Sequence, residues 1–202
     1  MIKFILFDIG GVIVDFYNED DYYPYISRIS RVPEKKVARI INYDIRVDLD
    51  RSTTSQKEFE RRMSRQFGIR KEQIRWYEFY KRKARLYRGT MEIIGRLHGR
   101  YVLGYLSNTD RSRYTYTVER LLKPYLKLFR YRFASCDIRL RKPGAEVYRH
   151  VLKRMHAKAS ETIFIDNQIE NVAGANRVGI KAIWFTNSKN LEKRLRKMGV
   201  RF

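Results

Sequence analysis

Phe4 through Phe7 form a short apolar run that ends on the carboxylate of Asp8, with Gly10 and Gly11 just beyond. The run is rich in β-branched and aromatic residues and too short for a helix, so it predicts a buried strand over about 2–8. A long helical region is expected next, roughly 18–88. Pro33 with Glu34 reads as a first helical turn. Ser55 and Glu58 have capping-box spacing ahead of Phe59, Met63 and Phe67, and Gly68 marks a stop. A further helix is predicted over about 71–87 from Ile74, Tyr77, Phe79 and Tyr80, which makes about four helices and no strand in this region. The strand pattern resumes at Tyr101–Leu106 and recurs at 130–135, 162–166 and 180–185. Helices are expected between these strands at about 110–124, 143–157 and 169–177, with a last basic helix over about 189–198.

Strand alternating with helix predicts an α/β fold: a Rossmann-like parallel sheet with helices on both faces. The helical stretch after the first strand interrupts that alternation. It reads as an inserted helical cap, residues 16–89, over the carboxyl edge of a core made of 1–15 and 90–202. The length of 202 residues suits a core with one inserted subdomain. No apolar run reaches membrane-spanning length, so no membrane partner is expected. Asp8 interrupts the first apolar run and no small-residue cleavage site follows it, which argues against a signal peptide. The single cysteine, Cys136, excludes an intrachain disulfide and fits a reducing compartment; a cytoplasmic location and a buried thiol are expected.

Charge changes the picture in one respect. The net charge is +22, with 19 basic against 11 acidic residues in 16–89 and 24 against 9 in 90–202. Such a field favours anionic ligands and weak, non-specific nucleic-acid contact, and carries no information on fold. The basic residues are spread along the chain and form no compact reading motif.

Four strand-end segments carry candidate chemistry. Open α/β sheets bind ligands beyond the carboxyl ends of their strands, and Asp8 sits at such an end. A carboxylate there can attack phosphorus, and a cation must then offset the repulsion between two anions. Mg²⁺ suits the task because it takes oxygen ligands, including a backbone carbonyl such as that of Gly10. Gly11 lets backbone approach whatever Asp8 holds. Ser107 and Asn108 follow the second core strand; they read either as phosphoryl-oxygen contacts or as a helix cap. Lys142 precedes Pro143 at the start of the next helix and reads either as a phosphoryl clamp or as surface. Asp166 ends the fourth strand as a candidate metal ligand, with Asn167 and Asn171 placed to hold the metal's waters or to order the loop. Gly174 and Ala175 allow close helix–sheet packing.

Taken together, Phe7-Asp8-Ile9-Gly10-Gly11-Val12, Leu106-Ser107-Asn108-Thr109, Arg141-Lys142-Pro143 and Phe164-Ile165-Asp166-Asn167 through Gly174-Ala175 resemble the haloacid dehalogenase-like hydrolase superfamily. The likeness is nearest to its small sugar-phosphate phosphatases, including α-glucose-1-phosphatase-like members. The resemblance implies Asp8 as nucleophile and Mg²⁺ held by Asp8, the Gly10 carbonyl and Asp166. It also implies phosphoryl contacts from Ser107, Asn108 and Lys142, and a small phosphorylated substrate. Three positions depart from the pattern. Gly10 stands where such phosphatases usually carry a second Asp, which serves as general acid and base. Asn167 stands where a second carboxylate often follows the metal-binding Asp. Arg139 stands where relatives commonly have Gly and is a candidate anion contact. Within the cap, Phe16, Tyr17, Tyr22, Tyr23, Asp44 and Arg46 are candidates for setting specificity. Two other readings are a metal-free 2-haloacid dehalogenase using Asp8 on carbon, and a binding protein on a hydrolase scaffold. Oligomeric state is not legible in the sequence.

Overall fold

The computed structural model describes residues 1–15 and 19–202, with the side chains of 19–21 and 83 left aside. In chain order the regular elements begin with β1 (Phe4–Phe7), β2 (Val14–Asp15), α1 (Glu19–Ser30), α2 (Glu34–Arg39), α3 (Arg46–Asp50), α4 (Gln56–Phe67), α5 (Trp76–Lys83), β3 (Arg85–Leu86) and α6 (Arg88–Leu97). They continue with β4 (Val102–Ser107), α7 (Arg111–Tyr114), β5 (Tyr131–Ala134), α8 (Ser135–Ile138), α9 (Ala145–Met155), β6 (Thr162–Asp166), α10 (Ile169–Arg177), β7 (Lys181–Trp184) and α11 (Ser188–Lys197).

Five strands form one sheet in the order β5-β4-β1-β6-β7, and every pairing in it is parallel. β1 is central because it is apolar on both faces. Ile5 and Phe7, with Leu103, Tyr105, Ile163 and Ile165 on its neighbours, pack against Ile94 and Leu97 of α6 and Leu191 and Leu195 of α11. Leu6, Leu106 and Phe164 point the other way, onto Val147, Val151 and Met155 of α9 and Ala175 of α10. The period-two alternation therefore builds two layers of helix on one sheet, the α/β architecture expected. Each fully buried aliphatic side chain in these layers contributes about 1.5–3 kcal/mol.

A third apolar cluster contains no residue of the sheet. Tyr22, Ile26, Val37, Ile41, Phe59, Met63 and Ile74 are its most buried members, with Trp76 beside them. The chain enters and leaves this helical segment through a two-stranded antiparallel ribbon, Val14 opposite Leu86 and Asp15 opposite Arg85. Arg85 and the Tyr87 hydroxyl both donate to the Asp15 carboxylate there. No helix among the described residues is long and apolar enough to cross a membrane.

Several expectations are corrected here. The segment 71–87 is not one helix: Arg75 adopts a left-handed backbone (φ 43°), which separates a 3₁₀ turn at Lys71–Gln73 from α5, and β3 follows. The region 18–88 therefore includes a strand and more helical pieces than four. Pro33 sits one position before the first turn of α2, as its N-cap. The stretch 110–124 begins as α7 and widens into a π-helix over Thr115–Leu121, where Leu122 N–H reaches the Thr117 carbonyl at 2.9 Å. The outer strands are shorter than predicted. The Ser55 cap holds, with its Oγ accepting Glu58 N–H at 3.2 Å, and Gly68 ends α4 at φ 63°. Cys136 is buried, and burial pushes its thiol up to about 11.

Candidate active site

The parallel register brings three strand ends to one edge. Asp8 follows β1, Ser107 closes β4, and Asp166 closes β6. Asp8 N–H donates to the Ile165 carbonyl, so the first carboxylate is fixed beside the last residues of β6. Asp8 and Ser107 open on a cavity of about 210 Å³, and Asp166 lies fully buried behind it. The cavity floor includes Asp8, Gly10, Gly11, Ser107, Asn108, Lys142 and Asn167.

Lys142 is the electrostatic centre. It is 1% exposed, and its Nζ lies 2.8 Å from Asp8 Oδ1 and 2.6 Å from Asp166 Oδ2. Burial alone would lower the ammonium pKa, but Asp166 and Asp8 outweigh it and hold it above its ordinary value. Burial, reinforced by Asp166 and opposed by Lys142, pushes Asp8 up to about 7. The expectation that Pro143 opens the helix directly after Lys142 is corrected: α9 begins at Ala145, and Lys142 and Pro143 lie in the preceding loop. Asn108 sets that loop. Its Nδ2 donates to the Lys142 carbonyl and its Oδ1 accepts the Lys142 N–H, both at 3.0 Å. The Asn108 amide is therefore committed to backbone, and the cap of α7 is Asp110, whose carboxylate accepts Arg113 N–H. Gly174 packs against this same loop: a Cβ there would lie 2.6 Å from the Pro143 carbonyl oxygen, so only glycine lets α10 approach it.

The polar groups of the floor divide into spent and open. Asp166 is fully buried; Oδ1 accepts Gln168 N–H, while Oδ2 accepts Lys142 and Asn171 Nδ2. Among the described residues the Asp8 carboxylate is held at Oδ1, by Ile9 N–H and Lys142, which leaves Oδ2 to the cavity. Ser107 also lines the cavity, and its hydroxyl makes no hydrogen bond to the described residues. Gly11 has a left-handed backbone (φ 77°) and lies under Asn167, whose Nδ2 would be 2.3 Å from an added Cβ. A hard divalent cation is usually held by one or two carboxylates with phosphate and several waters. Asp8 Oδ2 and the Gly10 carbonyl, both on the cavity, fit that mode, and Asp166, buried behind them and held by Lys142, Asn171 and Gln168, would join through its remaining lone pairs. No group of three or more acidic, His or Cys side chains comes together among the described residues, so phosphate and water would complete the shell.

The sequence candidates from the helical segment separate. Arg46 lines the cavity; Tyr22 and Tyr23 are buried in the helical cluster, and Asp44 is exposed. Phe16 and Tyr17 lie outside the described residues. Arg139 is exposed, outside the cavity, in a left-handed conformation (φ 57°) that closes α8. That backbone accounts for glycine being the commoner residue in the resembling pattern.

Sequence reasoning missed the opposite wall: Tyr80, Arg113, Tyr114, Thr117 and Val118. Behind it, Asp50 is fully buried and accepts from Arg46 Nε at 3.2 Å, Arg113 Nη2 at 2.6 Å and Arg141 Nε at 3.1 Å. Burial alone would raise this carboxyl, but Arg46, Arg113 and Arg141 outweigh it and hold it below its ordinary value. Ser135 Oγ donates to the Asp50 carbonyl, so the same residue ties the helical segment to the sheet by backbone as well. A capping aspartate one turn before a buried arginine, Asp110 with Arg113, was the available signal.

Comparison with known proteins agrees with this geometry. Residues 2–179 match the family model described as haloacid dehalogenase-like hydrolase. A predicted HAD-like family hydrolase from Porphyromonas gingivalis superposes with a TM-score of 0.77 over all of both chains, at 22% identity. A HAD family enzyme from Bacteroides thetaiotaomicron, solved with magnesium and inorganic phosphate, superposes at 0.72 with 20% identity, over 93% of this chain and 96% of that one. In sequence, a sesquiterpene phosphatase of Aspergillus oryzae is 46% identical over 56 residues, 28% of this chain and 29% of that protein. The matched stretches span about a third or less of the curated relatives. The family match covers most of the chain and includes all three strand ends: the protein belongs to the haloacid dehalogenase-like hydrolase family.

Proposed function

We propose that this hydrolase is a Mg²⁺-dependent phosphatase of small phosphorylated metabolites, working through an aspartyl-phosphate on Asp8. The observation that carries the reading is the buried Lys142 ammonium between Asp8 and Asp166, at the floor of a cavity with an open Ser107 hydroxyl. Asp8 attacks phosphorus and the bond from phosphorus to the leaving oxygen breaks. The leaving oxygen takes its proton from water, because Gly10 has no side chain to supply one. Water then attacks phosphorus, frees inorganic phosphate and regenerates the Asp8 carboxylate.

Lys142 holds Asp8 in place and offsets its charge as the anionic phosphoryl group approaches, while the Ser107 hydroxyl donates to a phosphoryl oxygen. Asn108 acts through Lys142, by fixing the loop that carries it. Asp8, the Gly10 carbonyl and Asp166 would hold magnesium, with Asn167 and Asn171 around its waters. When bound, the ion offsets charge on the phosphoryl oxygens. Residues 16–89 serve as the cap that closes the cavity opposite the sheet edge.

The sequence similarity to a phosphatase supports the phosphatase reading over a dehalogenase. A panel of phosphate monoesters assayed with Mg²⁺ and with excess EDTA tests it. Turnover that needs the metal is expected. Full activity in EDTA, or release of halide from 2-haloacids without phosphatase activity, would overturn it.

A further inference from the structure

The cavity has a second cationic end that the hydrolysis of a simple phosphate does not use. Arg113 lines it, and two edges of its guanidinium are already held: Nε donates to Asp110 Oδ2 at 2.5 Å and Nη2 to Asp50 Oδ1 at 2.6 Å. The group also lies 5.5 Å from the Trp76 ring centroid and 5.8 Å from that of Tyr80. These four contacts fix its plane. The third nitrogen, Nη1, donates to no described residue. Nor is it shut inside the protein: among the described residues the buried side-chain atoms without a partner are Trp76 Nε1 and Thr90 Oγ1 alone. Arg113 is 6% exposed, so Nη1 meets solvent through a small window on the cavity.

This contrasts with the floor. The Lys142 ammonium is taken by Asp8 and Asp166, whereas Arg113 keeps a donor to spend on a ligand. Arg46 lines the same wall and brings a second guanidinium to it. An arginine held rigid before binding loses little side-chain entropy when it meets an anion, and its geometry suits carboxylate and phosphate alike. The cavity, about 210 Å³, is below the range of about 300–1,000 Å³ usual for drug-sized ligands, so the ligand is compact.

We propose that the substrate is a small phosphate monoester carrying a second anionic group, a carboxylate or another phosphate, and that Arg113 receives that group while Asp8 meets the phosphoryl group. The proposal rests on the phosphatase reading above.

The test compares matched pairs on the wild-type protein with Mg²⁺. For a carboxylate, 3-phosphoglycerate is set against glycerol 3-phosphate; for a second phosphate, propane-1,3-diol bisphosphate is set against its monophosphate. The proposal expects the two-anion member of at least one pair to have the higher kcat/KM by about tenfold or more, the scale of one charge-assisted hydrogen bond. Calorimetric binding of phosphonoacetate against methylphosphonate reads the same preference without turnover. In Arg113→Gln these ratios should fall towards one. Equal kcat/KM within both wild-type pairs, with equal affinity for the two phosphonates, would overturn the proposal even if the variant fails to fold. So would an Arg113→Gln protein that loses both members of each pair equally, since Arg113 would then serve the phosphoryl group itself. Hydrolysis of p-nitrophenyl phosphate separates the two readings. If it is turned over without any two-anion preference, this inference alone fails. If no phosphate ester is turned over, the phosphatase reading fails, and the phosphonate comparison still decides the role of Arg113.

Discussion

Two buried charge clusters face each other across the cavity, and they are opposite in sign. At the sheet edge one cation, Lys142, lies between two carboxylates, Asp8 and Asp166. Under the helical segment one carboxylate, Asp50, accepts from three guanidinium groups, Arg46, Arg113 and Arg141. In the first, burial pushes Asp8 up to about 7 against the pull of Lys142; in the second, the arginines hold Asp50 down against burial. The chemical consequences differ. The first leaves an oxygen of Asp8 open on the cavity, a group able to react. In the second the carboxylate is enclosed by its partners, and it joins α3 to α7 and to the loop before α9. A buried charge is costly unless paired, and the two clusters meet that cost differently: the proposed nucleophile keeps one oxygen open in the first, and the carboxylate is wholly enclosed in the second.

The largest effect that separates them is expected from Asp8→Asn. An amide is a poor nucleophile, so kcat should fall by about 10³-fold or more, while the melting temperature stays near that of the wild type. A variant with full turnover would remove the first cluster from the chemistry.

Asp50→Asn should do the reverse of that at the second cluster. It removes the carboxylate that three guanidinium groups share and should cost about 3–5 kcal/mol of folding stability at neutral pH. The pH dependence has a definite sign. Asp50 is held below its ordinary value of 3.8, so the stability it contributes is present above that value and is lost as pH falls through the lower folded-state value. Urea melts should show a constant gap between wild type and variant from neutral pH down to about pH 4. The gap should close in stronger acid. A gap that widens on acidification would mean that the arginines do not set the ionisation of Asp50.

A smaller effect sharpens the account of the first cluster. Gly10 supplies no general acid, and such a group is typically worth about 10²–10⁴-fold, so leaving groups that need no proton should be favoured. Glucose 1-phosphate is expected to exceed glucose 6-phosphate in kcat/KM by about 10²-fold. Equal values would mean that another group delivers the proton.

The first cluster was legible in the sequence because both of its carboxylates stand at strand ends. Asp8 and Asp166 close apolar runs, and a parallel sheet brings strand ends together whatever lies between them. Lys142 was legible only beside its Pro143 and the other segments; among 44 Lys and Arg residues, nothing local told that it is buried. The second cluster was hidden for the same reason, multiplied. Asp50, Arg46, Arg113 and Arg141 come from three separate stretches, and in so basic a chain no arginine stands out. Backbone irregularity hid the rest. Thr117 and Val118 reach the cavity from a π-helix, whose wider turn an α-helical period does not describe. Tyr80 belongs to a helix that starts late because Arg75 is left-handed, although the apolar spacing around it runs on unbroken.

The claim at the centre of the account is that Asp8 carries the phosphoryl group. Rapid acid quench during turnover of a good substrate, followed by intact-protein mass spectrometry and peptide mapping, tests it directly, with heavy-oxygen water as solvent in a parallel run. The account predicts one phosphoryl group per chain, mapped to Asp8 and absent from Asp8→Asn, with the heavy oxygen appearing in the released phosphate. Turnover with no phosphorylated protein, together with heavy oxygen accumulating in the Asp8 carboxylate, would contradict it.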